Sequence, residues 1–292
     1  MEEASRDAPV LTVIGALGRL TPESVRSALA LARDGRVFAL AQLFANEMPQ
    51  IGFHGPFVQT AHRTYAGTLK EFPAASNRLG SLVCRYELSD HSGTHVDALN
   101  HAAREYALYG GADGRDLLSD SGTDRLGIDS MPPVVVRGIL LDLPRHLGRE
   151  ELPPAYEVTV SDVEGALRDA SVDLRPGDGV FFFTGRGRHW IRDNAAYLRP
   201  GCGPGPEVAE WMVDRGVVIT GADTASYEVE PPASAEMYPC HQILIQRHGV
   251  HLVENLRLHE LAATRRAEFA FVCAALPLKG GAGSPVAPIG LT

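Results

Sequence analysis

The apolar residues of this chain fall into strand-like runs separated by helix-like spacings. Val134-Val135-Val136-Arg137-Gly138-Ile139-Leu140-Leu141-Asp142-Leu143 is nearly continuous and β-branched at its start, which predicts a buried strand. The turn Arg175-Pro176-Gly177-Asp178-Gly179 leads into Val180-Phe181-Phe182-Phe183, a second strand. Val217 to Thr220, Val250 to Leu256 and Phe269 to Leu276 extend the set, and Arg36 to Leu40 supplies its first member. Helical spacing lies between them. Ser161 to Ala170 predicts a helix with Ser161 as cap and Glu164 three residues on. Glu207 to Arg215 predicts another. Alternating strands and helices argue for an α/β fold.

The flanks have other textures. Residues 1–35 carry a helical pattern, with Thr21 capping Pro22-Glu23-Ser24, and form an expected N-terminal helical extension. Residues 36–280 are the expected single domain. Residues 281–292 belong to a Gly/Pro-rich tail, an extended arm or docking segment. Residues 46–80 mix Pro, Gly, His and aromatics without period, which predicts an ordered loop region of the kind that often carries function.

Composition narrows the function class. With 292 residues, 45% of them hydrophobic, the chain holds a substantial core and is neither disordered nor a small disulfide scaffold. A net charge of −9 gives no footprint for nucleic acid or an anionic membrane. Cys84, Cys202, Cys240 and Cys273 form no C-x-x-C pair, so free thiols in a reducing compartment are expected. No apolar run approaches the roughly 18 residues of a membrane span. The N-terminus lacks a basic-then-apolar leader. The expected location is the cytoplasm, and the expected partner a small molecule.

Histidine changes the picture. Three of the 11 fall in His91-Ser92-Gly93-Thr94-His95-Val96-Asp97-Ala98-Leu99-Asn100-His101. Imidazole and carboxylate are the usual ligands of Zn²⁺ and related ions. In an extended segment His95 and Asp97 share a face, and Gly93 permits a bulge or close approach that aims His91 at the same point. Three ligands leave positions open, as in a catalytic site. Further ligands are sought in Pro239-Cys240-His241-Gln242 and in Val250 to Asn255, where Glu254 is a carboxylate on an apolar strand. Cys240 is read as a buried neighbour of His241, and His248 and His251 as solvated. Phe53, His54, Phe57 and Trp190 are candidate pocket walls for a flat substrate, and Arg186 a candidate carboxylate clamp.

The His91–His101 segment resembles the H-x-G-T-H-x-D-x-x-x-H signature of the metal-dependent cyclase family, which includes bacterial kynurenine formamidases, isatin hydrolases and a trans-dienelactone hydrolase. Leu141-Asp142-Leu143-Pro144, Arg175-Pro176-Gly177-Asp178 with Thr184-Gly185, Gly221-Ala222-Asp223-Thr224, and His241 through Glu254-Asn255-Leu256 follow in the expected order. The extension and the tail suggest a longer-branch member. The resemblance implies a mixed β-sheet core with surrounding helices, swivelling β/β/α-like, assembled as a homodimer or homotetramer. It implies a first metal on His91, His95 and Asp97, Asp97 bridging to a second metal held by His241, and Glu254 as a late carboxylate contacting both. It implies His101 as general acid/base. One or two ions per chain are expected, Zn²⁺ first and Mn²⁺ or Fe²⁺ as alternatives. The implied activity is hydrolysis of an amide, lactam or lactone by metal-activated water. A cyclase or dehydratase reaction is the alternative.

Overall fold

The computed structural model describes residues 13–233 and 236–292. Among them the organising element is a nine-stranded mixed sheet. We number the strands β1 (Val37–Ala39), β2 (Val58–Arg63), β3 (Val83–Glu87), β4 (His95–Asp97), β5 (Val134–Asp142), β6 (Gly179–Phe183), β7 (Ile219–Ala222), β8 (His251–Glu254), β9 (Glu268–Cys273), β10 (Gly283–Pro285) and β11 (Ile289–Leu291). The sheet order is β1-β11-β9-β5-β6-β7-β8-β4-β10. Strands β5 to β8 run parallel to one another, and the pairs flanking them are antiparallel. The apolar runs of β5, β6 and β7 form its buried centre, as expected of parallel strands covered on both faces. The mixed α/β single domain is the architecture expected from the chain.

Helix α1 (Pro22–Leu29) packs on β5 and β9, and α3 (Val160–Ala170) on β5 and α4 (Pro206–Asp214); α2 (Tyr65–Glu71) belongs to the excursion described below. Thr21 caps α1 in a capping box closed by Ser24. Residues 1–12 of the expected extension lie outside the described residues. Two boundaries differ from expectation. The cap of α3 is Thr159, with Asp162 completing the box; this pair sits two residues before Ser161 and Glu164. Residues 58–87 are not wholly irregular: β2 and β3 pair antiparallel as a separate ribbon around α2. Most side chains on both strands are exposed, so no core-facing alternation marked them in the chain. Residues 281–292 are built into the sheet, with β10 beside β4 and β11 between β1 and β9. No helix among the described residues is long and apolar enough to cross a membrane.

One close approach fixes the sheet's centre. Gly138 on β5 lies directly opposite Phe269 on β9, and a Cβ there would meet the Phe269 ring at 2.6 Å. That ring is buried and packs on Phe181 at 5.5 Å, so it has little room to yield. Gly138→Ala is expected to destabilise the fold by about 1–3 kcal/mol through overpacking. Urea unfolding checks this; a midpoint equal to that of the parent would show that the aromatic layer relaxes freely.

Candidate metal centre

Two adjacent strands build the site. On β4, alternation turns His95 and Asp97 to one face. Glu254 on β8 stands directly across from His95 in the antiparallel pair. His91 enters from the preceding turn, where Gly93 has φ 61°. A Cβ at Gly93 would lie 2.4 Å from the Phe44 ring, so both conformation and space call for glycine. His241 arrives from the short helix Pro239–His241, which runs into a π-helical stretch, Gln242–Arg247.

These side chains converge. His91 Nε2 lies 3.3 Å and His95 Nε2 3.5 Å from Asp97 Oδ1. His95 Nε2 is 3.3 Å from Glu254 Oε2. His241 Nε2 is 3.3 Å from Glu254 Oε1 and 3.7 Å from Asp97 Oδ2. Two triads emerge, His91–Asp97–His101 and Asp97–His241–Glu254, each with ligand atoms within 4.8 Å of one another. Asp97 is common to both.

The donor atoms fit a divalent cation. His91 Nε2, His95 Nε2, both Asp97 oxygens and Glu254 Oε1 are buried without a hydrogen bond of good geometry. Most buried polar atoms in proteins are paired; these five are set apart by facing one another. The opposite ring nitrogens are held: His91 Nδ1 by Asp90 at 2.9 Å, His95 Nδ1 by the Gly93 carbonyl at 2.8 Å, His241 Nδ1 by Glu228 at 2.6 Å. That is the supporting shell of metal-binding histidines.

Electrostatics agree. Burial alone would lower the imidazole pKa values, but Asp90 and Asp97 raise His91 to about 9. Asp97 and Glu254 raise His95 to about 10. The buried carboxylates thus create a strong demand for positive charge, met by protons or by a metal. Loading a metal displaces those protons. Metal affinity is therefore expected to rise with pH from about 6 to about 8, roughly tenfold per unit for each proton displaced. Calorimetry in buffers of differing ionisation enthalpy measures the release, and affinity flat with pH would contradict it.

His101 behaves differently. It lines a cavity of about 580 Å³ that reaches His91, His241 and Glu254. Burial pushes its imidazole down to about 4, so the ring is neutral at neutral pH. Its ring centroid is 4.1 Å from that of His91.

The remaining sequence candidates divide. His54 lines the cavity and stacks on His91 at 5.3 Å. The side chain of Phe53 lies outside the described residues. Trp190 is buried behind the wall with Met48, Phe57 and Tyr197, and its Nε1 donates to the Leu43 carbonyl at 2.8 Å. Arg186 borders the cavity but is buried, and its guanidinium is engaged by Glu151 and by the Tyr197 and Arg199 carbonyls. It is therefore not free to clamp a carboxylate. His251 is buried and bonds the Asp97 carbonyl at 2.7 Å, rather than being solvated. Cys240 is buried beside His241 as expected, with burial raising its thiol well above the usual range.

Several contributors were given no individual role by the chain, although Asp223 and Asn255 lie in its motifs. Asp223 accepts four hydrogen bonds, from Thr184 N and Oγ1, Gly185 N and Gly187 N. It thereby ties the Thr184-Gly185 and Asp223-Thr224 motifs into one turn beside the cavity. Gln50 also lines the cavity, with its Oε1 accepting from Phe57 N. Asn255, at φ 55°, donates to the Gly93 carbonyl and accepts from Tyr197 Oη. The chain marked it only as a member of the Glu254-Asn255-Leu256 motif.

Relatives share this architecture. A kynurenine formamidase from Bordetella petrii is 27% identical over 209 residues, covering 71% of this chain and 79% of that protein. A crystal structure of a novel cyclase superposes with a TM-score of 0.87 at 29% identity, covering 96% of this chain and 94% of the other. Isatin hydrolase A from Ralstonia solanacearum has the same fold, with a TM-score of 0.68, 22% identity and 99% coverage of both chains. The Cyclase family model matches residues 38–229. With that match spanning most of the sheet and the His91–His101 segment, the chain belongs to the Cyclase family.

Proposed function

We propose that this chain is a metal-dependent hydrolase that opens an amide, lactam or lactone bond of a small cyclic or aromatic substrate. One observation carries the reading: five unpartnered donor atoms converge beside a cavity that His91 and Glu254 line and that also presents a neutral histidine, His101. The names of the relatives, a kynurenine formamidase and an isatin hydrolase, support amide-type bonds. His91, His95, Asp97, His241 and Glu254 would hold the metal. Asp97 stands in both triads, which favours two ions. Zn²⁺ suits imidazole and carboxylate donors, as do Mn²⁺ and Fe²⁺.

A divalent cation, when bound, polarises a carbonyl oxygen and makes water acidic enough to attack at neutral pH. The rest belongs to the chain. His101 takes the proton as water adds to the carbonyl carbon, then returns it to the departing nitrogen or oxygen as that bond breaks. Asp90, Glu228 and the Gly93 carbonyl keep the other imidazoles from rotating. The cavity holds the substrate beside these donors.

We further propose a homodimer or homotetramer in the cytoplasm. The β2–β3 ribbon and its surroundings expose Val58, Tyr65, Phe72, Leu82, Val83 and Tyr86. A two-stranded ribbon with apolar side chains in water is stabilised by packing against another surface.

Acid release by metal-loaded protein, with N-formylkynurenine, isatin, a dienelactone and an aryl formamide as substrates, tests the activity. Turnover abolished by a chelator and restored by metal is the expected result. No acid from any of them, with metal shown to be bound, would turn attention to cyclisation or dehydration.

A further inference from the structure

Glu228 lies in the loop between β7 and the Pro239–His241 helix and is only 1% exposed. Its carboxylate accepts three hydrogen bonds. Oε2 takes Cys240 N at 2.9 Å; Oε1 takes His241 N at 3.1 Å and His241 Nδ1 at 2.6 Å. The helix start explains the first two. Its N-cap, Tyr238, is left-handed at φ 50° and offers no side-chain cap, and Pro239 has no N–H. Cys240 and His241 therefore carry the first orphan donors, and a carboxylate from an earlier loop meets them.

The third bond is not required by capping. It holds a proton on Nδ1 and leaves Nε2 as the ring atom that faces Asp97 and Glu254, at 3.7 and 3.3 Å. One carboxylate thus fixes both the backbone and the ring of residue 241. Glu228 does not line the cavity, so it is placed to act through His241 and not on a substrate. The other two imidazoles are held by a half-exposed carboxylate, Asp90, and by a main-chain carbonyl. Neither joins burial to negative charge as Glu228 does. A buried anion behind an imidazole raises its basicity as a ligand.

We propose that Glu228 is the positioning residue that sets the tautomer, orientation and basicity of His241, and so the affinity of the metal position formed with Asp97 and Glu254. This rests on His241 being a metal ligand, as proposed above.

A double-mutant cycle on Zn²⁺ affinity, measured by chelator competition, tests it. The four proteins are the parent, Glu228→Gln, His241→Ala and the double variant, each with its fold checked by circular dichroism. Glu228→Gln is expected to weaken Zn²⁺ binding about 10–100-fold, and to have no further effect once His241 is alanine. Undiminished affinity in Glu228→Gln would overturn the proposal. So would an equal loss in the alanine background, because Glu228 would then act only on the fold. Unchanged affinity in His241→Ala would instead defeat the reading of His241 as a ligand, and the proposal with it. If Glu228→Gln does not fold, Glu228→Asp takes its place in the cycle. Aspartate keeps the charge but shortens the reach, and the same loss and the same non-additivity are expected.

Discussion

Asp97→Asn is expected to empty the metal centre and lower turnover by roughly 10³-fold or more. Asp97 is wholly buried, both its oxygens lack hydrogen bonds, and it belongs to both triads. Asparagine keeps the shape but replaces one acceptor oxygen with a donor and removes the charge. Metal-assisted hydrolysis draws several kcal/mol of transition-state stabilisation from the ion; at about 1.4 kcal/mol per decade, that is the stated loss. Stability supplies a second readout. Metal at about 100 times its Kd stabilises a folded protein by about 2.7 kcal/mol, so the parent's Tm should rise on loading and the variant's should not. A variant with full metal content by elemental analysis, and turnover within tenfold of the parent, would remove Asp97 from the centre.

His101→Ala separates proton transfer from metal binding. The ring faces the cavity and burial pushes it down to about 4, whereas His91 and His95 are raised by their carboxylates. The ring's place on the cavity wall beside the cluster puts it within reach of a substrate proton. A positioned general acid/base contributes about 10²–10⁴-fold, so kcat should fall by that factor while metal content is retained. His101 also falls within ligand distance of His91 and Asp97. If its loss releases metal as well, it is a ligand; if kcat barely changes, it is neither.

Much of the site could be read from the chain because it is local. His91, His95, Asp97 and His101 lie within one short segment, and strand alternation is enough to turn His95 and Asp97 the same way. Glu254 stood out as a charge on an apolar strand. The central strands announced themselves because parallel strands covered on both faces need uninterrupted apolar runs. The β2–β3 ribbon did not, because it faces water on both sides and leaves no periodic pattern.

The clustering of imidazole and carboxylate side chains, the α/β class and the apolar centre of the sheet were thus settled by sequence, since each depends on residue kinds at short spacing. Tertiary structure decided what spacing cannot encode. It set Glu254 opposite His95 through strand register, brought His241 in on a helix capped by the distant Glu228, and wove residues 281–292 into the sheet. It also engaged the Arg186 guanidinium inside the protein and packed Trp190 with Met48, Phe57 and Tyr197. The physical reason is that a side chain's role depends on which donors and acceptors it leaves unpaired. Burial and long-range pairing set that count, and both exist only once the chain has folded.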